Sequence, residues 1–201
     1  MIELPKSCEV NKFIPKKVFY EKAQITNNTK KEFVDIIEKI VWMYKLSEDT
    51  VNISSTKNVE EIEVFEIILR KNIIPKNVLK LITKLISYPI LFIIKYKKDI
   101  MYAMKFDDIY YTNWNENIEV SLNFFTLEKV YENIIKSIIK EDNKEKNLKE
   151  VIQSKKIRDE LQRDIEQLKK RLKIEKQFNR KVELNKKVRK LEKEMEALKS
   201  E

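Results

Sequence analysis

Apolar residues recur in two rhythms along the chain, one typical of helices and one typical of strands. Residues 4–21 contain two prolines and scattered polar residues, which predicts an irregular or short-helical leader. From Thr29 the apolar residues recur at three- and four-residue steps, which predicts an amphipathic helix with Asn28 or Thr29 as its N-cap. Its apolar positions are Phe33, Ile36, Ile37, Ile40, Val41 and Tyr44.

The middle of the chain predicts a strand, a helix and a second strand. The segment VEEIEVFEIILR, Val59 to Arg70, is rich in β-branched residues and becomes continuously apolar, which is typical of a strand buried on both faces. A helical rhythm begins at Pro75 and ends at Pro89, and the strand ILFIIKY follows. Strand, helix and strand in this order form a crossover unit between parallel strands.

A hairpin extends this unit into a mixed sheet. A polar turn at Lys97 to Asp99 leads into a third strand, IMYAMKF, and Ile109 to Trp114 predicts an edge strand. A short strand is also predicted at Val51 to Ile53, and a helix at Leu127 to Ile139. Residues 1–140 are therefore expected to form an α/β domain with a small mixed sheet and flanking helices.

Beyond Lys140 the composition changes, which predicts a domain boundary at Glu141 to Asn147. Residues 141–201 contain no proline and one aromatic residue, Phe178, and charged residues dominate this segment. At 100° per residue, the apolar stripe of residues 151–172 lies roughly 140° from that of residues 184–198. One straight helix would bury neither stripe properly, whereas a reversal near Ile174 to Lys176 lets them face each other.

Residues 141–201 are therefore predicted to form an antiparallel helical hairpin, a two-helix coiled coil. The predicted pairs are Leu198 with Val151, Leu191 with Ile157, Val188 with Leu161, Leu184 with Ile165, Val182 with Leu168, and Phe178 with Leu172. The turn lacks Gly and Pro, which counts against a reversal. The alternative is one long helix whose apolar stripe rotates as it meets different partners.

Positive charge is concentrated in the same region. The 201-residue chain carries a net charge of +9, and the segment from Lys169 to Lys190 alone contains eleven Lys or Arg against two Glu. Such a concentration predicts a site for a polyanion such as DNA or RNA, and the alternative is a solvated face of a Lys-rich protein. The candidate binding residues are Lys169, Lys170, Arg171, Lys173, Lys176, Arg180, Lys181, Lys186, Lys187, Arg189 and Lys190.

Composition excludes several classes of chemistry. The absence of Gly excludes Gly-rich phosphate loops, and the absence of His excludes His-based triads and His-ligated metals. Cys8 stands alone and can form neither an internal disulfide nor a Cys-cluster zinc site, and we predict no metal site and no cofactor. The longest apolar run, Tyr88 to Tyr96, is too short for a bilayer, and the N-terminus shows no signal segment. We therefore expect a cytoplasmic protein without a membrane partner.

Two charged residues on the predicted strands are weak catalytic candidates. Glu66 shares a strand face with apolar residues, and Lys95 on the next strand is a candidate partner. A divergent metal-dependent nuclease centred on Glu66 and Lys95 is therefore the alternative function. Two isoleucines follow Glu66 where a Glu-x-Lys ending would be needed, so an ion pair or an edge position explains Glu66 more simply.

Other polar and aromatic residues have simpler structural interpretations. Asp107 and Asp108 could supply oxygen ligands to a metal, but they fall beside a predicted turn, where Asp is common. Tyr110, Tyr111 and Trp114 could stack on bases, but aromatic residues on strands more often fill a core.

Four segments together resemble a known family. They are LPKSCEVNKFIPKKVFYE at the start, VEEIEVFEIIL and YPILFIIKY in the middle, and EKQFNRKVELN near the end. Over nearly its whole length the chain resembles the bacterial domain-of-unknown-function family four-three-nine-one. The resemblance implies a small cytoplasmic protein encoded near helicases and DNA methyltransferases of restriction or antiviral defence systems.

The basic tail and the resemblance together predict a non-catalytic accessory subunit of such an assembly. Its partner would be a helicase or methyltransferase, and the C-terminal arm would contact nucleic acid or that partner. A homodimer joined through the C-terminal helices is a further option.

Overall fold

The computed structural model describes residues 2–22, 25–140 and 147–200. The chain divides into two compact units, Met1–Lys144 and Glu145–Glu201. Most of the predicted boundary segment, residues 141–146, lies outside the described residues.

The first unit is built on a six-stranded mixed sheet whose strands lie side by side in chain order. The strands are β1 (Glu9–Phe13), β2 (Ile37–Leu46), β3 (Ile62–Leu69), β4 (Ile90–Tyr96), β5 (Asp99–Lys105) and β6 (Ile109–Tyr111). Only β3 and β4 pair in parallel, and the other neighbours are antiparallel. This confirms the predicted crossover unit, the appended hairpin and the short edge strand.

Helices cover both faces of this sheet. The helices are α1 (Lys17–Lys22), α2 (Asn27–Lys31), α3 (Glu48–Val51), α4 (Lys76–Leu85) and α5 (Leu127–Ile139). Leu79 of α4 is buried in one core with Phe92 and Ile94, whereas α5 contacts β5 and β6. Successive residues of a strand point to opposite faces of the sheet. Because both faces are covered, β4 is apolar and buried at every position from Ile90 to Ile94.

The predicted amphipathic helix from Thr29 to Tyr44 is wrong over most of its length. Helix α2 ends at Lys31, a π-helical turn covers Glu32–Ile36, and strand β2 begins at Ile37. The N-cap is Thr26, whose side chain accepts a hydrogen bond from the backbone of Thr29 at 3.2 Å.

Two irregularities in β2 explain the error. The β2–β3 register shifts between Ile37 and Lys39 and again between Trp42 and Tyr44. Each shift interrupts the strict alternation of a strand, so the buried positions Ile37, Ile40 and Val41 imitate helical spacing.

Two smaller expectations also need correction. The leader contains strand β1 in addition to short helical segments, and β1 pairs with β2 around a bulge. The predicted strand at Val51 to Ile53 is wrong, because α3 ends at Val51. The backbone of Asn52 then adopts the left-handed conformation, with φ of 54°. The hydroxyl of Thr50 accepts a hydrogen bond from the backbone of Ser47 at 2.8 Å, which favours a helical turn there.

The second unit is an antiparallel pair of helices, α6 (Leu148–Ile174) and α7 (Phe178–Ser200). The reversal at residues 175–177 confirms the predicted hairpin and rules out one continuous helix. Glu175 leaves α6 in an extended conformation, with φ −68° and ψ 133°. No residue of the turn has a positive φ, so the reversal does not require glycine.

The hairpin buries a narrower stripe than the sequence predicts. Ile165 and Val188 are its buried aliphatic centre, with exposed fractions of 2% and 5%. Ile157, Val182 and Phe178 remain exposed, so the three predicted pairs that contain them are not buried pairs. Val182 stands two residues from Leu184, which places it about 200° round the helix from the buried stripe. None of the described helices has the length and apolar character needed to cross a bilayer.

Candidate functional site

The hairpin gathers positive charge around its turn. Seven cations on the two helix ends and the turn form what we call the basic tip: Lys169, Lys170, Arg171, Lys173, Lys176, Arg180 and Lys181. Four more cations follow along α7: Lys186, Lys187, Arg189 and Lys190. All eleven are exposed except Lys181, which is half-buried.

Few of these cations are neutralised by carboxylates. The ammonium of Lys169 lies 2.7 Å from Glu192 across the hairpin, and that of Lys190 lies 3.8 Å from Glu194 on the same helix. The other nine form no ion pair with any residue that the structure describes. Their charge therefore faces solvent, where it is available to an anionic ligand.

The carboxylate of Glu175 serves the turn. Its Oε1 accepts hydrogen bonds from the backbone N–H groups of Gln177 at 2.9 Å and Lys176 at 2.8 Å, directly before α7. These bonds, with the nearby Arg180 and Lys181, lower the pKa of Glu175. The acidic residue at the centre of the basic tip thus stabilises the backbone of the reversal.

Two apolar side chains stand exposed among these cations. Ile174 is 79% exposed and Phe178 is 76% exposed, on either side of the turn. The predicted pairing with Leu172 would bury Phe178, but its position lies off the stripe that runs from Leu184 to Leu198. A cavity of about 330 Å³ lies between the helix ends, lined by Arg171, Ile174, Glu175, Arg180, Glu183, Leu184 and Lys187.

This arrangement matches the chemistry of a single-stranded nucleic acid. Lys and Arg side chains contact phosphates without reading sequence, and exposed aromatic rings stack on bases. The hairpin places both kinds of group at one end of a two-helix scaffold.

The two catalytic candidates on the sheet do come together. Glu66 and Lys95 form an ion pair, with side-chain exposures of 12% and 25%. The backbone partners of Glu66 in the neighbouring strands are Val41 and Ile93, both apolar. Within the described parts of the chain, no three His, Cys, Asp or Glu side chains converge as a metal site would require. The pair therefore has the surroundings of a structural ion pair.

The remaining candidates of the first unit also have structural contacts. Asp108 pairs with Lys80 at 3.3 Å, and the backbone N–H of Ile109 lowers the pKa of Asp108. Tyr111 and Trp114 pack against the core, and burial raises the pKa of Tyr111 to about 12. Asp108, Tyr111 and Trp114 thus lie in or beside β6 and have contacts within the first unit.

Replacing only Glu66 should destabilise the first unit, because Lys95 would keep a half-buried charge without its partner. We expect Glu66→Leu to lower the free energy of unfolding by about 1–3 kcal/mol, less than for a fully buried pair because both side chains keep some exposure. Combining it with Lys95→Met should restore most of this loss. Urea unfolding of wild type, both single variants and the double variant measures the coupling.

The same variants test the nuclease alternative. Wild-type protein and Glu66→Leu are incubated with plasmid and Mg²⁺ or Mn²⁺. Cleavage by wild type that disappears in the variant would overturn the structural role and support the nuclease. Additive losses of stability in the double variant would also contradict the ion-pair account.

Comparison with known proteins identifies the family without naming an activity. The family model described as Domain of unknown function (DUF4391) matches residues 2–195, nearly the whole chain. No curated protein and no solved structure matches the chain. The match spans both the sheet unit and the basic hairpin, so this chain belongs to the DUF4391 family.

Proposed function

We propose that this protein is a non-catalytic accessory subunit of a DNA-processing assembly, and that its basic tip contacts nucleic acid. The observation that carries the proposal is the surplus of exposed cations without ion-pair partners around the reversal of the hairpin. The segment from Lys169 to Lys190 has the same net charge as the entire chain. The rest of the chain is therefore electrically balanced.

Stability alone does not account for this arrangement. Like charges on neighbouring helical turns repel, and a helix surface is stabilised when Lys and Glu alternate. The distal half of α7 shows such mixing, with Glu192, Glu194 and Glu196 among its lysines. The tip has seven cations against one carboxylate, that of Glu175, and an anionic ligand would offset the repulsion among these cations.

The assembly and its location rest on the family resemblance. Members of such a family, encoded near helicases and DNA methyltransferases, would act in the cytoplasm beside those enzymes. A helicase or methyltransferase is therefore the proposed protein partner, within a restriction or antiviral defence system. A homodimer through the C-terminal helices remains a separate prediction, and sedimentation of the full chain tests it.

Nucleic-acid binding by the tip should depend steeply on salt. If about five phosphates are contacted, the log–log slope of affinity against salt should lie near −4 to −5. Replacing Lys173, Lys176 and Arg180 by Gln should weaken binding and reduce the magnitude of the slope by about 2–3. Fluorescence anisotropy with a labelled oligonucleotide, between about 50 and 200 mM salt, measures both.

The matched control removes the same charge from the other compact unit. Lys57, Lys71 and Lys98 are exposed there, and their triple Gln variant should keep the wild-type slope. Equal losses in the two triple variants would mean that net charge, rather than the tip, governs binding. A flat salt response in wild type would remove the nucleic-acid role and leave protein docking, which a pull-down with the neighbouring gene product tests.

Because of Phe178, the basic tip should bind single-stranded oligonucleotides more tightly than duplexes. Stacking of one base on an exposed aromatic ring is worth about 1–3 kcal/mol, so Phe178→Ala should weaken binding of a single-stranded oligonucleotide about 5- to 150-fold. Duplex affinity should change little, because paired bases cannot reach the ring. Phe125→Ala is the control, since Phe125 is 95% exposed on the sheet unit. Unchanged single-strand affinity in Phe178→Ala would show that the ring does not stack.

A further inference from the structure

A second candidate site lies in the sheet unit, in an apolar cleft beside the start of β3. The cleft has a volume of about 300 Å³, which suits a small molecule. Its walls come from α1, β2, β3 and the end of α4, and they include Val18, Phe19, Trp42, Phe65, Ile86 and Tyr88. One carboxylate, that of Glu63, lines the same cleft.

Glu63 is buried without a full set of partners. The residue is only 5% exposed, and its Oε2 has no hydrogen-bond partner among the residues that the structure describes. A buried polar atom left in this state costs free energy unless a ligand or another group satisfies it.

The cation opposite Glu63 on the neighbouring strand is paired with another carboxylate. Lys45 lies opposite Glu63 in the β2–β3 ladder, but its ammonium bonds to Glu61 at 2.6 Å. The indole N–H of Trp42 donates to the carbonyl oxygen of Tyr44 at 3.1 Å. Lys45 and Trp42 thus each have another acceptor, and Oε2 of Glu63 keeps no hydrogen-bond partner among the described residues.

The electrostatics of Glu63 agree with this geometry. Burial raises the pKa of Glu63 to about 7, against an opposing contribution from the Trp42 indole. A cation beside the carboxylate would relieve the cost of burying its charge, whereas an anion would add to it. The apolar and aromatic walls would at the same time cover a hydrophobic body.

We propose that this cleft binds a small molecule that carries a protonated amine on an aromatic or aliphatic body. The ammonium group donates to the carboxylate of Glu63, and the body lies against the aromatic walls. This proposal does not depend on the function of the basic tip, because every residue it uses belongs to the sheet unit.

Three probes that share a phenyl body but differ in charge test the proposal: 2-phenylethylamine, 2-phenylethanol and phenylacetate. Trp42 lines the cleft and serves as the fluorescent reporter in a Trp114→Phe background, since the chain has two tryptophans. The amine should bind at least about tenfold more tightly than the carboxylate, with the alcohol between them.

Two variants test the contribution of the carboxylate and that of the cleft separately. Glu63→Gln keeps the shape and should remove the preference for the amine while the alcohol still binds. Val18→Phe should fill much of the cleft and weaken all three probes without adding a second tryptophan, since Val18 lies at its partly exposed wall. Equal affinity for amine and carboxylate in wild type, an unchanged preference in Glu63→Gln, or unchanged binding in Val18→Phe would each overturn the proposal.

Discussion

The antiparallel packing of α6 against α7 is the contact on which the candidate site depends. Each helix is highly charged and has only a narrow apolar stripe, so neither could bury enough surface alone. Folding back lets Ile165 and Val188 become a buried centre and brings Lys169 within 2.7 Å of Glu192. The same reversal carries two cationic helix ends to one place. A continuous helix would spread these charges along its length.

The two units use their charged residues differently. In the sheet unit many charges have specific structural partners: Glu66 pairs with Lys95, Lys80 with Asp108, and Lys16 donates to the backbone of Phe33 at 2.9 Å. In the hairpin, nine of the eleven candidate cations have no such ion-pair partner among the described residues. Glu63 is the counterpart in the sheet unit, a buried carboxylate with an unsatisfied oxygen. These nine cations of the hairpin and Oε2 of Glu63 lack such partners within the part of the chain that the structure describes, and we place the ligand contacts at these two sites.

The sequence could predict those parts of the structure in which local pattern and tertiary packing agree. The bounds of α5 and the order β3, α4, β4, β5 follow from apolar runs punctuated by prolines and polar turns. Strand β2 could not be predicted because its register shifts give its apolar residues a helical spacing. The shifts themselves are defined only by the pairing of β2 with β3. The charge of the tip was visible in the sequence, but the exposure of Phe178 depends on the hairpin register. Glu63 was missed because both faces of β3 are buried, so its carboxylate gave no periodic signal.

The central claim is that nucleic acid binds the tip of the hairpin, and lysine footprinting tests it most directly. The full chain is acetylated briefly with and without a saturating oligonucleotide, and each lysine is quantified by mass spectrometry. The account predicts strong protection of Lys170, Lys173 and Lys176, with unchanged reactivity at Lys57, Lys71 and Lys98 on the sheet unit. Uniform protection of both groups, or tip lysines that react equally well in the presence of nucleic acid, would contradict it.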